Sequence, residues 1–418
     1  MYLHRICGKL LYHSSTKVTK AFLQRIIIFT CKLYFLAVIE RRTRFFSRKQ
    51  NLYVSIDETS HGTTSYIGFV IGVLNQRMKR RQIKVKELQA ADGQSLAKEV
   101  LETLAEYSIP PCKVKLLVTD SAKAMHRCWE ELKPHCPDLI HVYCLAHKLN
   151  LVSKFIQSKH KKVNNLIGIL KQLLARSGPR RRIFKLVTGG QLPLPPTPHE
   201  IRWGTWQISA NYLSIYIDAV VFFLLQLKPD KKGDASDLNN PETRLTKLQG
   251  LLQNEDYLAE LKDELKFLKN YEQLPQWIWK LEKSKVQFHK AMEVVEDVRK
   301  SLTDVVNRST GDNQAMAQSI LNEFERCIGD GEGLKQIQEK LSQDEDSFYQ
   351  FSPLNSTDTE RFFKGFRLNF TRTNRYFKGQ NMAVITACKS ALRPNRKYVL
   401  NRTTLKVKVR IIYSLTIF

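Results

Sequence analysis

The chain reads as a mixed α/β sheet region followed by a helical region, and three observations carry that reading. Strand-period alternation fills residues 52–88, apolar runs and helical stripes then alternate as far as residue 156, and beyond residue 204 only stripes at steps of three and four remain. With 418 residues, 43% of them hydrophobic and 10% aromatic, there is apolar surface for two or three cores. General disorder and a disulfide-stapled miniprotein are therefore excluded.

The elements follow in order. Leu52, Val54 and Ile56 alternate with Tyr53, Ser55 and Asp57, the period of a strand with two unlike faces. Tyr66–Leu74 is almost wholly apolar, and Ile83 and Val85 alternate with Lys84 and Lys86, so three neighbouring strands predict an antiparallel meander. Asp92-Gly93 precedes a helical stripe of Leu96, Val100, Leu101 and Leu104. Leu116-Leu117-Val118 suits a strand buried on both faces and ends at Asp120. A helix at Met125, Trp129 and Leu132, a strand from Leu139 to Tyr143 and a helix at Leu145, Leu149, Val152 and Ile156 complete the alternation. Five prolines and three glycines in 177–198 predict a long loop without helix. Residues 204–345 then carry stripes such as Leu258, Leu261, Leu265, Leu268 and Phe288, Met292, Val295, Val298, Leu302.

Sixty-seven Lys+Arg against 40 Asp+Glu leave +27. Such a surplus points first to nucleic acid and second to an anionic membrane surface. Eleven Lys/Arg against one acid in residues 1–50, and eight against none in 389–418, account for +18 of it, so the charge is concentrated in two arms. Eight cysteines form no C-x-x-C pair, which suits reduced thiols in a cytosolic or nuclear protein. The apolar run Ile26–Ile39 is broken by Lys32 and too short to span a bilayer, so no membrane partner is expected. The sequons at Asn307, Asn355, Asn369 and Asn401 would matter only in a secreted chain. Gly329, Gly331 and Gly333 lie in an acidic stretch with no preceding strand and make no phosphate loop.

Asp57 and Asp120 sit where carboxylates of neighbouring strands can converge on divalent ions. A metal pair roughly 3.5–4 Å apart can hold both oxygens of a phosphodiester displacement, although aspartates beside strands also serve as turn or cap residues. Cys144-x-x-His147, with His135, Cys136 and His141 nearby, is half of a zinc site or simply core. Trp203 is a core anchor or a stacking surface. Arg176, Arg180, Arg181, Arg182 and Lys185 form one basic cluster. The run from Arg361 to Lys378, interleaved with Phe362, Phe363, Phe366, Phe370, Tyr376 and Phe377, suits either a strand-binding groove or a dimer face.

The phrases Ser55-Ile56-Asp57-Glu58-Thr59, Val118-Thr119-Asp120-Ser121-Ala122, Cys144-Leu145-Ala146-His147-Lys148-Leu149-Asn150-Leu151, Ile201-Arg202-Trp203 and Ser356-Thr357-Asp358-Thr359-Glu360-Arg361-Phe362-Phe363 resemble, in order, transposases of the hAT superfamily, over about residues 51–390. The resemblance implies a ribonuclease-H-like mixed sheet flanked by helices and interrupted by a large all-α insertion. It divides the chain into a basic extension (1–50), the first part of the core (51–203), the insertion (204–350), a returning catalytic and dimerisation segment (351–392) and a basic tail (393–418). It also implies a catalytic triad of Asp57, Asp120 and Glu360 holding two Mg2+ or Mn2+ ions, with His147 beside it and Trp203 stacking on an extruded base. Arg202, Arg180, Arg181 and Arg182 join Trp203 and His147 as expected DNA contacts.

The chain departs from the family in lacking a BED-type zinc finger, in placing His61 where an aspartate is common, and in both basic ends. Two function classes follow. One is a nuclear, transposon-derived, DNA-binding homo-oligomer with residual metal-dependent strand cleavage or transfer; the other is a dimerisation or transcription-regulatory protein that keeps the fold without the reaction. A ribonuclease-H-like nuclease is a third class, but it has no need of the helical insertion. Without a finger or recognisable helix-turn-helix, DNA binding is expected to show little sequence preference.

Overall fold

The computed structural model describes residues 50–61, 64–75, 79–175, 177–199, 203–228, 241–283, 286–329, 331–344, 347–361 and 363. The basic arms, Arg202 and residues 364–392 lie outside them.

The protein is mixed α/β, with a five-stranded mixed open sheet flanked by helices. Its strands are β1 (Leu52–His61), β2 (Thr64–Val73), β3 (Arg80–Leu88), β4 (Val114–Thr119) and β5 (Ile140–Tyr143), in the order β3-β2-β1-β4-β5. β1, β2 and β3 form the expected antiparallel meander, with Asp57 opposite Gly68 and a register shift at Phe69/Val70. Contacts divide the described residues into two compact units: one holds those from 50 to Leu117, Lys123–Leu139 and those from Asp358 to 363, the other those within Val118–Ala122 and Ile140–Thr357.

In the first unit, α1 (Gly93–Glu106) and α2 (Lys123–Leu132) pack together over one face of the meander. Asp92 accepts from Ser95 N–H at 2.9 Å and caps α1. Its stripe of Leu96, Val100 and Leu104 joins Leu52, Val54, Ile56 and Phe69 in one core. Each such side chain contributes about 1.5–3 kcal/mol on full burial.

The other face of β1 departs from the half-polar surface that its alternation suggests, because Tyr53 and Ser55 are buried as well. The returning residues 358–361 and 363 cover it. Ser55 Oγ meets Thr359 Oγ1 at 3.0 Å, Arg80 pairs with Asp358 at 2.5 Å, and Gln82 Nε2 donates to the Asp358 carbonyl at 3.4 Å. Two glycines in β2 make the cover close-fitting: a methyl on Gly68 would strike the Phe363 ring, and one on Gly72 would overlap the Tyr53 ring. Burial pushes the Tyr53 phenol well above its ordinary range.

The second unit contains β5 and the helices α3 (Leu145–Lys159), α4 (Lys161–Leu174), α5 (Gly178–Val187), α6 (Thr205–Gln226), α7 (Pro241–Leu252), α8 (Glu255–Leu268), α9 (Leu274–Glu282), α10 (Phe288–Arg308), α11 (Gly311–Gly329) and α12 (Glu332–Gln343). Among the described residues from 204 to 350 there is no strand. The stripes behave as read: Leu261, Leu265 and Leu268 of α8, and Val295, Val298 and Leu302 of α10, are buried. The glycine run near residue 331 finds its purpose here. Gly333 lies against the His141 carbonyl so tightly that any side-chain carbon would overlap it, and α12 can approach β5 only with glycine at this point.

One expectation is overturned. Residues 178–187, in the stretch expected to lack helix, form α5, with Ser177 as its cap and Pro179 in the first turn. Proline breaks a helix interior but suits its first turn, where the missing N–H would have no intrahelical partner. The loop shortens accordingly to the residues between α5 and α6.

α6 is the one described helix long and apolar enough to cross a membrane, and half of its most apolar window is buried within the fold.

Candidate functional site

Asp57 lies in the middle of β1 rather than at a strand end. It is half-buried, and its Oδ1 accepts from Glu58 N–H at 2.9 Å. Strand alternation puts it on the same face as Ser55, two residues earlier. That is the face covered by the returning segment, in which half-buried Glu360 follows Thr359 directly. A contact spanning 304 residues of sequence thus brings the neighbourhoods of two of the three expected carboxylates to one side of one unit.

Asp120 belongs to the other unit. It directly follows β4, and its Oδ1 accepts from Ala122 N–H at 3.1 Å, closing a turn into α2. A short chain of hydrogen bonds fixes this corner. Thr119 Oγ1 donates to the Asp120 carbonyl at 2.6 Å, which leaves the hydroxyl to accept from Nε2–H of buried His141 at 2.8 Å. Cys144 N–H donates to the Thr119 carbonyl at 2.7 Å and so ties the start of α3 to the same corner.

His147, in the first turn of α3, sits in the field of Asp120 and edge-on to Trp203, with ring centroids 5.6 Å apart. Burial holds its imidazole below the ordinary histidine value; the Asp120 carboxylate opposes that shift and Lys154 adds to it. Trp203 is only 9% exposed, so in this arrangement its ring is a core surface, and it would have to turn outward to stack on a base. Next to it, Gly204 N–H donates to Asn150 Oδ1 at 3.3 Å, which fixes the start of α6 on α3.

The arginine cluster divides by role. Arg181 donates to the carbonyls of Leu174 and Ala175 at 2.8 and 2.7 Å, capping the end of α4. Arg182 and Lys185 are exposed, and Arg180 is half-buried. Arg181 is thus a structural cap, a role that the basic run does not reveal because it depends on where α4 ends.

Among the described residues no group of three or more His, Cys, Asp or Glu is arranged to hold a metal ion. A hard divalent ion needs several carboxylate oxygens at once, and the described residues supply no such group, so no catalytic step is assigned to Mg2+ or Mn2+. Cys144 is buried and bonded through its backbone, while His135 is exposed.

No protein-family model matches this chain, and no curated protein matches it either.

The signals that sequence reasoning passed over are small ones. Gly68 and Gly72, four apart in an apolar strand, mark a close approach. Thr119 and His141, at the adjacent ends of two strands, mark a buried polar pair.

Proposed function

We propose that this chain is a nuclear DNA-binding protein derived from a hAT-type transposase, with a ribonuclease-H-like sheet interrupted by helices. The observation that supports it most is the return of residues 358–361 and 363, after the long helical stretch, to the β1 face that carries Asp57, in a sheet of order β3-β2-β1-β4-β5. A core split by an insertion must bring its late glutamate back to the first strand. The surplus of 27 positive charges supplies affinity for phosphates irrespective of sequence.

A second reading adds metal-dependent strand cleavage or transfer, and it rests on the segment that carries Glu360 returning to the β1 face that carries Asp57, with Asp120 assigned by resemblance alone. Purified full-length chain, plasmid DNA and Mg2+ or Mn2+, beside a Glu360→Ala control, separate the readings. Cleavage by the first and not the second supports catalysis; no cleavage by either leaves a binding protein; equal cleavage by both removes Glu360 from the reaction. DNA binding is checked by titration against salt. Affinity falls steeply between about 50 and 200 mM if phosphates carry it, whereas unchanged affinity, or a preference of more than about a thousandfold for one duplex, overturns the reading.

A further inference from the structure

From Leu139 to His199 the chain contains eleven Lys/Arg and not one Asp or Glu. This tract includes α3, α4 and α5, and it feeds into α6, whose only acid, Asp218, is paired with Lys262 at 2.7 Å. The same part of the second unit exposes large apolar side chains that a folded surface ordinarily covers. Leu186 of α5 is 80% exposed and Phe222 of α6 is 54% exposed, and Ile183, Leu225 and Leu251 are exposed as well.

The helices that carry these side chains meet at one end of α6. Phe184 of α5 packs edge-on against Phe223, with centroids 5.2 Å apart, which sets α5 beside that end. Gln249 of α7 donates to the carbonyls of Leu224 and Leu227 at 2.7 and 2.8 Å, which sets α7 there too. With Phe184 turned inward, helical geometry turns Arg182, Lys185 and Leu186 outward, and all three are exposed. Lys228, just past α6, is exposed as well.

We propose that this patch docks an acidic amphipathic helix of a partner protein. The cations and aliphatics are interleaved at side-chain spacing, as Arg182, Ile183, Lys185 and Leu186. Carboxylates alternating with apolar side chains along a helix match that pattern. A DNA backbone gives the exposed leucines and Phe222 nothing to cover them. A lipid surface favours an apolar tip separated from a basic rim. A second copy meeting through the same patch would set cation against cation. The inference does not depend on the DNA-binding reading and uses no residue of the Asp57 face.

The test is fluorescence anisotropy of the full-length chain with a labelled synthetic peptide carrying Leu or Phe at i, i+3, i+4 and i+7 and Glu between them, beside a peptide of the same composition in scrambled order. The patterned peptide binds, and the scrambled one binds at least tenfold more weakly. Leu186→Asp, and separately the pair Arg182→Glu and Lys185→Glu, each weaken binding at least tenfold, while Leu186→Ala loses less. All these positions are exposed, and circular dichroism checks that the helices persist. Equal binding of the two peptides, or variants that bind like the parent, overturns the proposal. It is also overturned if Leu186→Asp instead abolishes binding to phosphatidylserine vesicles, to duplex DNA or to a second copy while the peptide does not bind.

Discussion

The two units close their interiors in different ways. In the first, the covered face of β1 depends on residues that are neighbours only because the chain returns to it: Ser55 meets Thr359, and Arg80 meets Asp358. In the second, each helix announces itself by a local apolar stripe, but the helices pack largely on partners distant in sequence, α11 and α9 on α3 and α12 on β5, where glycine admits backbone to backbone. A unit whose helices form from local periodicity is legible in sequence element by element, though not in how those elements pair. A unit completed by a distant segment hides its last contacts from sequence and concentrates them in a few side chains.

The contrast is sharpest at the glycines. Gly333→Ala sets a methyl against the His141 carbonyl, which cannot swing aside, so the expected loss is about 3 kcal/mol in denaturant unfolding. Gly72→Ala meets the Tyr53 ring, which can tilt, and should lose about 1–2 kcal/mol. Equal losses at the two positions would mean that the approach of α12 to β5 is no tighter than the seat of the Tyr53 ring on β2.

The contact that closes the first unit is smaller. Ser55→Ala should cost about 1 kcal/mol, and replacing Thr359 by Val as well should add little, because the buried Oγ to Oγ1 hydrogen bond is already gone. Fully additive losses in this double-mutant cycle would show that the returning segment is held by something else.

In the second unit, His147 should make stability depend on pH. Its folded imidazole titrates below the ordinary value of 6.5, so the unfolded chain binds a proton first as pH falls. Stability therefore declines on going down through about pH 6.5. His147→Gln should flatten the stability profile between about pH 7 and 5.5; an unchanged slope would mean that the ring is not held neutral by burial.

The smallest effect concerns the thiols. Burial raises Cys128 to about 12 and Cys136 to about 11, so both should resist a maleimide that labels exposed Cys112. Labelling of Cys128 in the native chain would reveal local opening of α2.

The period of apolar residues was enough to determine the meander, the α1 stripe, β4 and the helical character beyond residue 204, because each depends on neighbours within a few positions. Composition alone determined the positive charge and where it is concentrated. Pro179 misled the reading of 178–187, since proline's effect depends on whether it stands inside a helix or in its first turn. Arg181 was legible as a cation but not as the cap of α4. The pairing of Ser55 with Thr359, the cover over Tyr53, the fit of Gly333 on His141 and the seat of His147 between Asp120 and Trp203 were decided by tertiary structure. Each joins positions that no periodicity links, and only the folded chain sets the distance between them.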